Sequence, residues 1–544
     1  MDTFSAARRD LLRLGSMGLA AAATNAVPAA YAATKPSAPA TPVSVFDIRT
    51  YGAIGDGKTV DTPAINKAIE AAAAAGGGTV FFPAGTWLCF SIQLKSHVAL
   101  YLSQGSTVLA ADSPKAGQTT GYNGGTYDAA EPNDPWTPYQ DYGHNHWHNS
   151  LIWGEGINDI SITGPGLIWG KGLSRGTRGD FIAEQPGVGN KAIALKNCRN
   201  VIFRDFSILK GGHFGFLLTG VDNLTIDNIT IDTDRDGIDI DCCKNVRVSN
   251  CFVNSPWDDG ICPKSSYALG YARATENVTI TNCYVAGCSE LGAFLDGTFK
   301  KFDGTTDQKK IGGTGRIKCG TESNGGFKNI TISNCVFEGC RGLALESEDG
   351  ALCEDIAISN ITMRDVINAP LFFRLGARLR GPKENTKVGT LRRVVVDNLV
   401  SYNTGSHICS ILSGVPDYPI LDLKLSNIYI QHQGGAAADI AKIVMPENAE
   451  KYPDPGMFGP DTPAQGFFLR HINNLEMSHV EVQPAQPDQR PTFYLEGVNR
   501  ADFIAVTAPT NPPAFRLNNV TDLRILISRA APDTQLATAN DRVL

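Results

Sequence analysis

The chain is predicted to be all-β: a single-stranded parallel β-helix with a short capping helix at its N-terminal end. Three observations lead there. A unit of Asn or Asp followed by alternating apolar residues, often closed by a second Asn, recurs along most of the 544 residues. Its clean copies sit one coil apart, with Asn200, Asn223 and Asn245 separated by 23 and 22 residues. The composition, with 56 Gly and only 19% charged residues, suits short strands and tight turns rather than helical bundles. No coil of this kind buries its apolar row alone, so each must stack on the next.

In chain order, residues 1–33 read as an export signal. The Arg8-Arg9 pair precedes a modest apolar run, Met17 to Ala23, and Ala30-Tyr31-Ala32 follows as a cleavage site. This pattern is that of twin-arginine export, to the periplasm or the medium. The run is too short to anchor the chain in a bilayer, and no later segment would span one. Residues 34–44, mostly Pro, Ala, Thr and Ser, form a linker, and 45–544 a single β-helix domain. Pro63 to Ala75 is expected to be helical, capped by Thr62 and stopped by Gly76-Gly77-Gly78. Its apolar face (Ile65, Ala68, Ile69, Ala72) would close the first coil.

The repeat then runs through Asp159-Ile160-Ser161-Ile162, Asn200-Val201-Ile202-Phe203 and Asn223-Leu224-Thr225-Ile226. It continues at Asn245-Val246-Arg247-Val248, Asn277-Val278-Thr279-Ile280, Asn329-Ile330-Thr331-Ile332 and Asp355-Ile356-Ala357-Ile358. Turn asparagines at equivalent places are expected to bond along the stack. Cys251, Cys283 and Cys335 each follow Ser-Asn or Thr-Asn at one point of the repeat. They are read as a buried ladder of free thiols, with one or two bridges elsewhere as the alternative, and the 13 cysteines show no paired C-x-x-C set for zinc. Residues 112–150, dense in Trp, Tyr and His, and residues 432–466 interrupt the repeat as long loops, the usual carriers of binding.

The net charge of −7 gives no overall basic field for nucleic acid. The acids are placed more tellingly. Asp236-Gly237-Ile238-Asp239 and Asp258-Asp259-Gly260-Ile261 are two copies of one element, and Asp236 and Asp259 are 23 residues apart. One coil apart, their carboxylates would share a small patch. Like charges so close keep one group protonated while another stays anionic, which is what glycoside hydrolysis needs. Trp257 precedes the pair where a sugar platform would suit. Arg316 and Lys318 alternate with Ile317 and so share one strand face, and Lys264, Arg374 and Arg378 extend the basic set. Glu322, Glu346 and Asp349 are further acids that a groove could use. His144, His146 and His148 alternate too, but without a matching carboxylate motif they read as sugar contacts or surface rather than as metal ligands.

Taken together, Asp234-Arg235-Asp236-Gly237-Ile238-Asp239, Asp258-Asp259-Gly260-Ile261 and Arg316-Ile317-Lys318 resemble the motifs of glycoside hydrolase family 28, the polygalacturonases and their relatives. The likeness spans roughly residues 45–380. It implies a right-handed β-helix that hydrolyses pectic galacturonide links with inversion and without a metal or other cofactor. It also implies Asp258 as general acid, Asp236 and Asp259 as the groups that hold and deprotonate water, and Arg316 and Lys318 as holders of the uronate carboxylate. Two departures stand out. Asp234-Arg235 replaces the family's Asn-Thr. The Gly-His-Gly histidine is missing from Gly287-Cys288-Ser289-Glu290-Leu291-Gly292, where Glu290 is the nearest ionisable substitute. An inverting pair would stand about 6.5–9.5 Å apart. The expected partner is a pectic poly- or oligosaccharide and the expected state a monomer. The competing readings are a calcium-dependent lyase of the same fold and a non-catalytic carbohydrate-binding or adhesive solenoid.

Overall fold

The computed structural model describes residues 44–175, 185–287, 294–298, 313–405 and 407–544. The export signal of residues 1–33, nearly all of the linker and Glu290 lie outside them. Residues Ser44–Leu544 form one compact unit.

The repeat seen in the sequence is a stack of coils whose strands pair in parallel, as expected for a right-handed parallel β-helix. One column runs through Asn158–Thr163, Arg199–Arg204, Asp222–Asp227, Lys244–Ser249, Thr275–Thr281 and Phe327–Glu338. A second column, of six strands, runs through Ile92–Gln93, Ile152–Glu155, Lys191–Lys196, Phe214–Thr219, Asp236–Asp241 and Ile261–Lys264. Alternate side chains turn inward and interlock from coil to coil, so the core is a continuous apolar rod rather than a ball. Val201, Leu224, Val246, Val278 and Ile330 make one buried row of it.

The asparagines explain the sharp corners. Asn200, Asn223, Asn245, Asn277 and Asn329 all have φ between 55° and 58°, a left-handed conformation that Asn tolerates better than most residues. Their amides bond up the stack, Asn223 to Asn200 at 2.9 Å, Asn277 to Asn245 at 3.0 Å and Asn329 to Asn277 at 2.9 Å. A second ladder follows the same rule through Asn334, Asn360 and Asn398. Cys251, Cys283 and Cys335 stack inside the rod, and the twelve cysteines among the described residues are all buried and free.

Both ends are closed. Helix α1, Thr62–Ala74, buries Ile65, Ala68, Ile69 and Ala72 over the first coils. Its cap differs from expectation: Asp61 stands at the N-cap, and Thr62 lies inside the helix. The Asp61 carboxylate is taken by the Ile54 and Gly55 amides, at 2.7 and 3.1 Å, and the Thr62 hydroxyl accepts from the Phe90 amide. At the other end the pairing turns antiparallel, Val520–Leu526 against Thr534–Ala539, which stops the stack from growing.

Candidate active site

Asp236 opens the strand Asp236–Asp241, and Asp258 and Asp259 sit in the turn before Ile261–Lys264. Gly237 N–H donates to the Asp259 carbonyl at 3.0 Å, so the two copies of the motif stack as the spacing requires. The coils come this close because Gly215, Gly237 and Gly260 form a column without side chains. A Cβ on Gly237 would stand 2.5 Å from the Gly260 carbonyl oxygen. One oxygen from each of Asp236, Asp258 and Asp259 lies within 4.8 Å of the others. That is nearer than the gap of about 6.5–9.5 Å expected between acid and base.

Asp236 and Asp259 are pushed in opposite directions. Asp236 is buried, and burial, followed by the charge of Asp258, pushes its pKa well above the usual carboxylate range. Burial also acts on Asp259, but Lys318 and Arg316 outweigh it and hold that carboxyl well below the usual range. Arg316 Nε donates to Asp259 Oδ1 at 2.9 Å, and Lys318 Nζ stands 2.5 Å from Oδ2. Asp258 is the exposed member, with 28% of its side chain accessible. Its Oδ2 accepts from Arg235 Nη2 at 2.6 Å and its Oδ1 from the Asp259 amide at 3.1 Å.

The open basic patch inferred from the sequence is not found. Arg316 and Lys318 do share a face, but it is the inner one: both are buried between Asp259 and Glu346, with Arg316 Nη2 donating to Glu346 at 3.0 Å. Lys264 is buried 3.8 Å from Asp239. Arg374 is fully buried and donates to the Ser413 hydroxyl and to the Gly414 and Glu447 carbonyls, each at 2.9 Å. Arg378 is held by Asp349. The physical reason is common to all of them: a cation taken out of water needs acids or carbonyls of its own chain beside it. Trp257 is half-buried next to Asp258.

Sequence reasoning undervalued the loops. Residues 112–150 bring His144 into the centre, 4% exposed. Its Nδ1 is bonded to Glu322 and its Nε2 stands 3.7 Å from Asp239. Burial alone would lower its proton affinity, yet Glu322 and Asp239 outweigh that and raise it above the ordinary imidazole value. It groups with Asp236 and Asp239 within 4.8 Å, an imidazole beside the acid cluster of a chain whose Gly287–Gly292 stretch has none. Asp239 is wholly buried, neither of its oxygens has a hydrogen-bond partner among the described residues, and burial pushes its pKa well up against the opposing pull of Lys264 and His144 beside it. The same loop ties down with Asp141 on Arg380 at 2.7 Å. The second loop delivers Tyr452, whose hydroxyl accepts from Thr321 at 3.2 Å, and Asp454, paired with Arg341. Two clusters here, Asp236-Asp258-Asp259 and His144-Asp236-Asp239, also have a spacing that could hold a cation.

Known proteins resemble this chain in the same terms. Residues 45–131 match the family model described as rhamnogalacturonase A/epimerase, pectate lyase-like, and residues 125–290 match glycosyl hydrolases family 28. A probable polygalacturonase of Vitis vinifera is 28% identical over 249 residues, 42% of this chain and 47% of the grape protein. Plasmin and fibronectin-binding protein A of Streptococcus pneumoniae is 36% identical over 275 residues, 46% of this chain and 32% of that protein. The chain thus spans half or less of the length of these curated relatives. Among solved structures, a hyperthermoactive exopolygalacturonase of Thermotoga maritima aligns with a TM-score of 0.53 at 19% identity, over 72% of this chain and 88% of that one, a likeness of fold. The resemblance to family 28 read from the motifs is borne out by the family match.

Proposed function

We propose that this β-helix, whose residues 125–290 carry the match to glycosyl hydrolases family 28, hydrolyses glycosidic bonds in pectic, galacturonide-containing polysaccharide with inversion at the anomeric carbon. The observation that carries the reading is three carboxyls within one water's reach of each other, with burial raising the pKa of Asp236 while Lys318 and Arg316 lower that of Asp259. A water bonded to two carboxylate oxygens at about 2.8 Å each spans about 4.5 Å. Asp236, whose proton affinity burial raises, holds that water, and Asp259, whose proton affinity Lys318 and Arg316 lower, accepts its proton. Asp258, the exposed member, protonates the leaving oxygen. Inversion is supported by the occupancy of Asp259: both its oxygens already accept from Arg316 and Lys318, so it is poorly placed to bond to carbon but keeps lone pairs for a proton. Arg316 and Lys318 act through Asp259, by keeping it ionised. The pattern at residues 1–33 supports export by the twin-arginine route.

The test is product analysis on polygalacturonate and on rhamnogalacturonan. Expected are new reducing ends, no unsaturated uronate absorbance, an unchanged rate in EDTA, and an inverted first anomer by proton NMR. Asp258→Asn should lower kcat by about 10²–10⁴-fold. Chelator-sensitive, unsaturated products would install the calcium lyase reading instead, a retained anomer would refute the mechanism, and no cleavage of either polymer would leave a binding solenoid.

A further inference from the structure

We propose that the corner where the second column of strands passes into the first carries a separate, non-catalytic binding site for an acidic sugar chain, centred on Arg199 and Tyr271. The choice of a uronide as its ligand rests on the pectic reading above. The site itself goes beyond that reading, which uses none of these residues.

The corner holds a cavity of about 430 Å³, within the size of small-ligand sites, about 300–1,000 Å³. It opens just past the ends of the strands Ile152–Glu155, Lys191–Lys196 and Phe214–Thr219, where Gly156, Asn197 and Gly220 of three successive coils line it. The acid cluster stands at the opposite ends of this column, where Asp236 begins its strand. The length of a six-residue strand, about 17–20 Å, separates the two places.

The cavity is lined by groups the fold does not use. Arg199 is exposed, and its guanidinium has no hydrogen bond or ion pair among the described residues. The side-chain amides of Asn158 and Asn197 have none either. Arg273 is tied to Asp222 through Nη2 at 2.6 Å, so the two arginines and one acid of the lining leave a positive charge on a chain whose net charge is −7. Tyr271 stands at the rim, 54% exposed. A free guanidinium offers a carboxylate two parallel bonds, amides meet hydroxyls, and an aromatic ring offers an apolar face to a sugar ring.

The wall that carries Tyr271 and Arg273 is already built. Leu269 packs on Gly220, where a Cβ would stand 3.2 Å from it, and the Trp136 ring packs on Gly270, where a Cβ would stand 2.9 Å away. Trp136 Nε1 donates to the Ala268 carbonyl at 3.3 Å, and the Ser265 hydroxyl donates to the Arg273 carbonyl at 2.7 Å. A polymer long enough to touch both this corner and the acid groove is held at two points, the second contact being intramolecular. A short oligomer gains nothing from it.

The experiment counts bound ligand and compares chain lengths. Trigalacturonate binding is measured by equilibrium dialysis at millimolar concentration in the slow Asp258→Asn protein, alone and with Arg199→Gln or Tyr271→Ala added, thermal melting verifying the fold. Two molecules should bind per chain in the parent and one after either added change, and neutral galactotriose should not displace the second. With Asp258 intact, Arg199→Gln and Tyr271→Ala should each raise KM on polygalacturonate about 3–10-fold and leave the kinetics on trigalacturonate within about twofold. One molecule per chain in the parent, two in every variant, or ready displacement by galactotriose overturns the site and leaves the hydrolase reading standing. So does a loss on Arg199→Gln with none on Tyr271→Ala, which would mark a plain anion site. Wild-type protein that cleaves no pectic polymer, in a chain that still loses one trimer to each added change, refutes the hydrolase reading and keeps the site.

Discussion

Lys318→Met probes the quartet of Asp259, Glu346, Arg316 and Lys318. The Lys318 side chain is 3% exposed, with Nζ 2.5 Å from Asp259 and 3.9 Å from Glu346. At an effective dielectric of about 20, a unit pair at that shorter distance attracts by about 7 kcal/mol. Desolvation takes back a large part of this, and breaking a buried pair from one side costs about 3–5 kcal/mol in practice. The variant keeps two acids on one cation, Arg316. In wild type the folded value of Asp259 lies below its unfolded value of about 3.9. Its stabilisation is therefore present above about pH 4 and is lost as pH falls through the folded value. In Lys318→Met the folded value climbs towards or past the unfolded one. The stability deficit should be largest at pH 7 and should narrow towards pH 3, and the acid limb of kcat/KM should move to higher pH. Urea unfolding followed by tryptophan fluorescence at pH 7, 5 and 3.5, with pH–rate profiles, measures both. A rise in KM alone, with stability and the acid limb untouched, would refute this and restore Lys318 as an open substrate-binding charge.

Two further outcomes follow from the site. His144→Gln should destabilise the fold by about 3 kcal/mol or more at pH 6, since it strips the cation from Glu322 and Asp239. Because the folded pKa of His144 is raised, wild type itself loses this contribution as pH rises through that value, so the difference should shrink as pH is raised; a pH-independent deficit in denaturation curves would mean that packing, not charge, is at stake. Gly237→Ala sets a methyl 2.5 Å from the Gly260 carbonyl oxygen and should part the two acid-bearing turns. Overpacking of this kind costs about 1–3 kcal/mol, and kcat should fall further than that stability loss implies; unchanged kinetics would show that the coils have slack there.

What the sequence makes legible is whatever repeats. Period and pattern place the asparagine corners, the thiol stack and the coil-to-coil meeting of Asp236 with Asp259, because the fold converts sequence distance of one coil directly into contact. Orientation relative to irregular segments is another matter. That Arg316 and Lys318 share a face follows from alternation. That the face is closed depends on Glu346, thirty residues on and across a coil of different length. His144 has no local signal at all, since Glu322, its partner, is 178 residues away. Arg374 looked like a groove cation because nothing near it in sequence shows the carbonyls of Gly414 and Glu447 that claim it. The helix cap shifted by one residue for the same reason: Asp61 is occupied by a loop that comes before the helix.

The thiols set an order of events on making this protein. Burial pushes Cys89, Cys262 and Cys319 well above the ordinary thiol range, so in the finished rod they are protonated and out of an oxidant's reach. The unfinished chain has no such shelter. Any two of its cysteines can be joined while it is unfolded, and a bridge between distant coils fixes them in a sequence that stacking cannot accommodate. Cys251, Cys283 and Cys335 each belong to a different coil, so even a bridge within this one column would bind coils before their corners had formed. The stack must close first and meet oxygen afterwards; preparations refolded from denaturant therefore need a reductant until the last coil is seated.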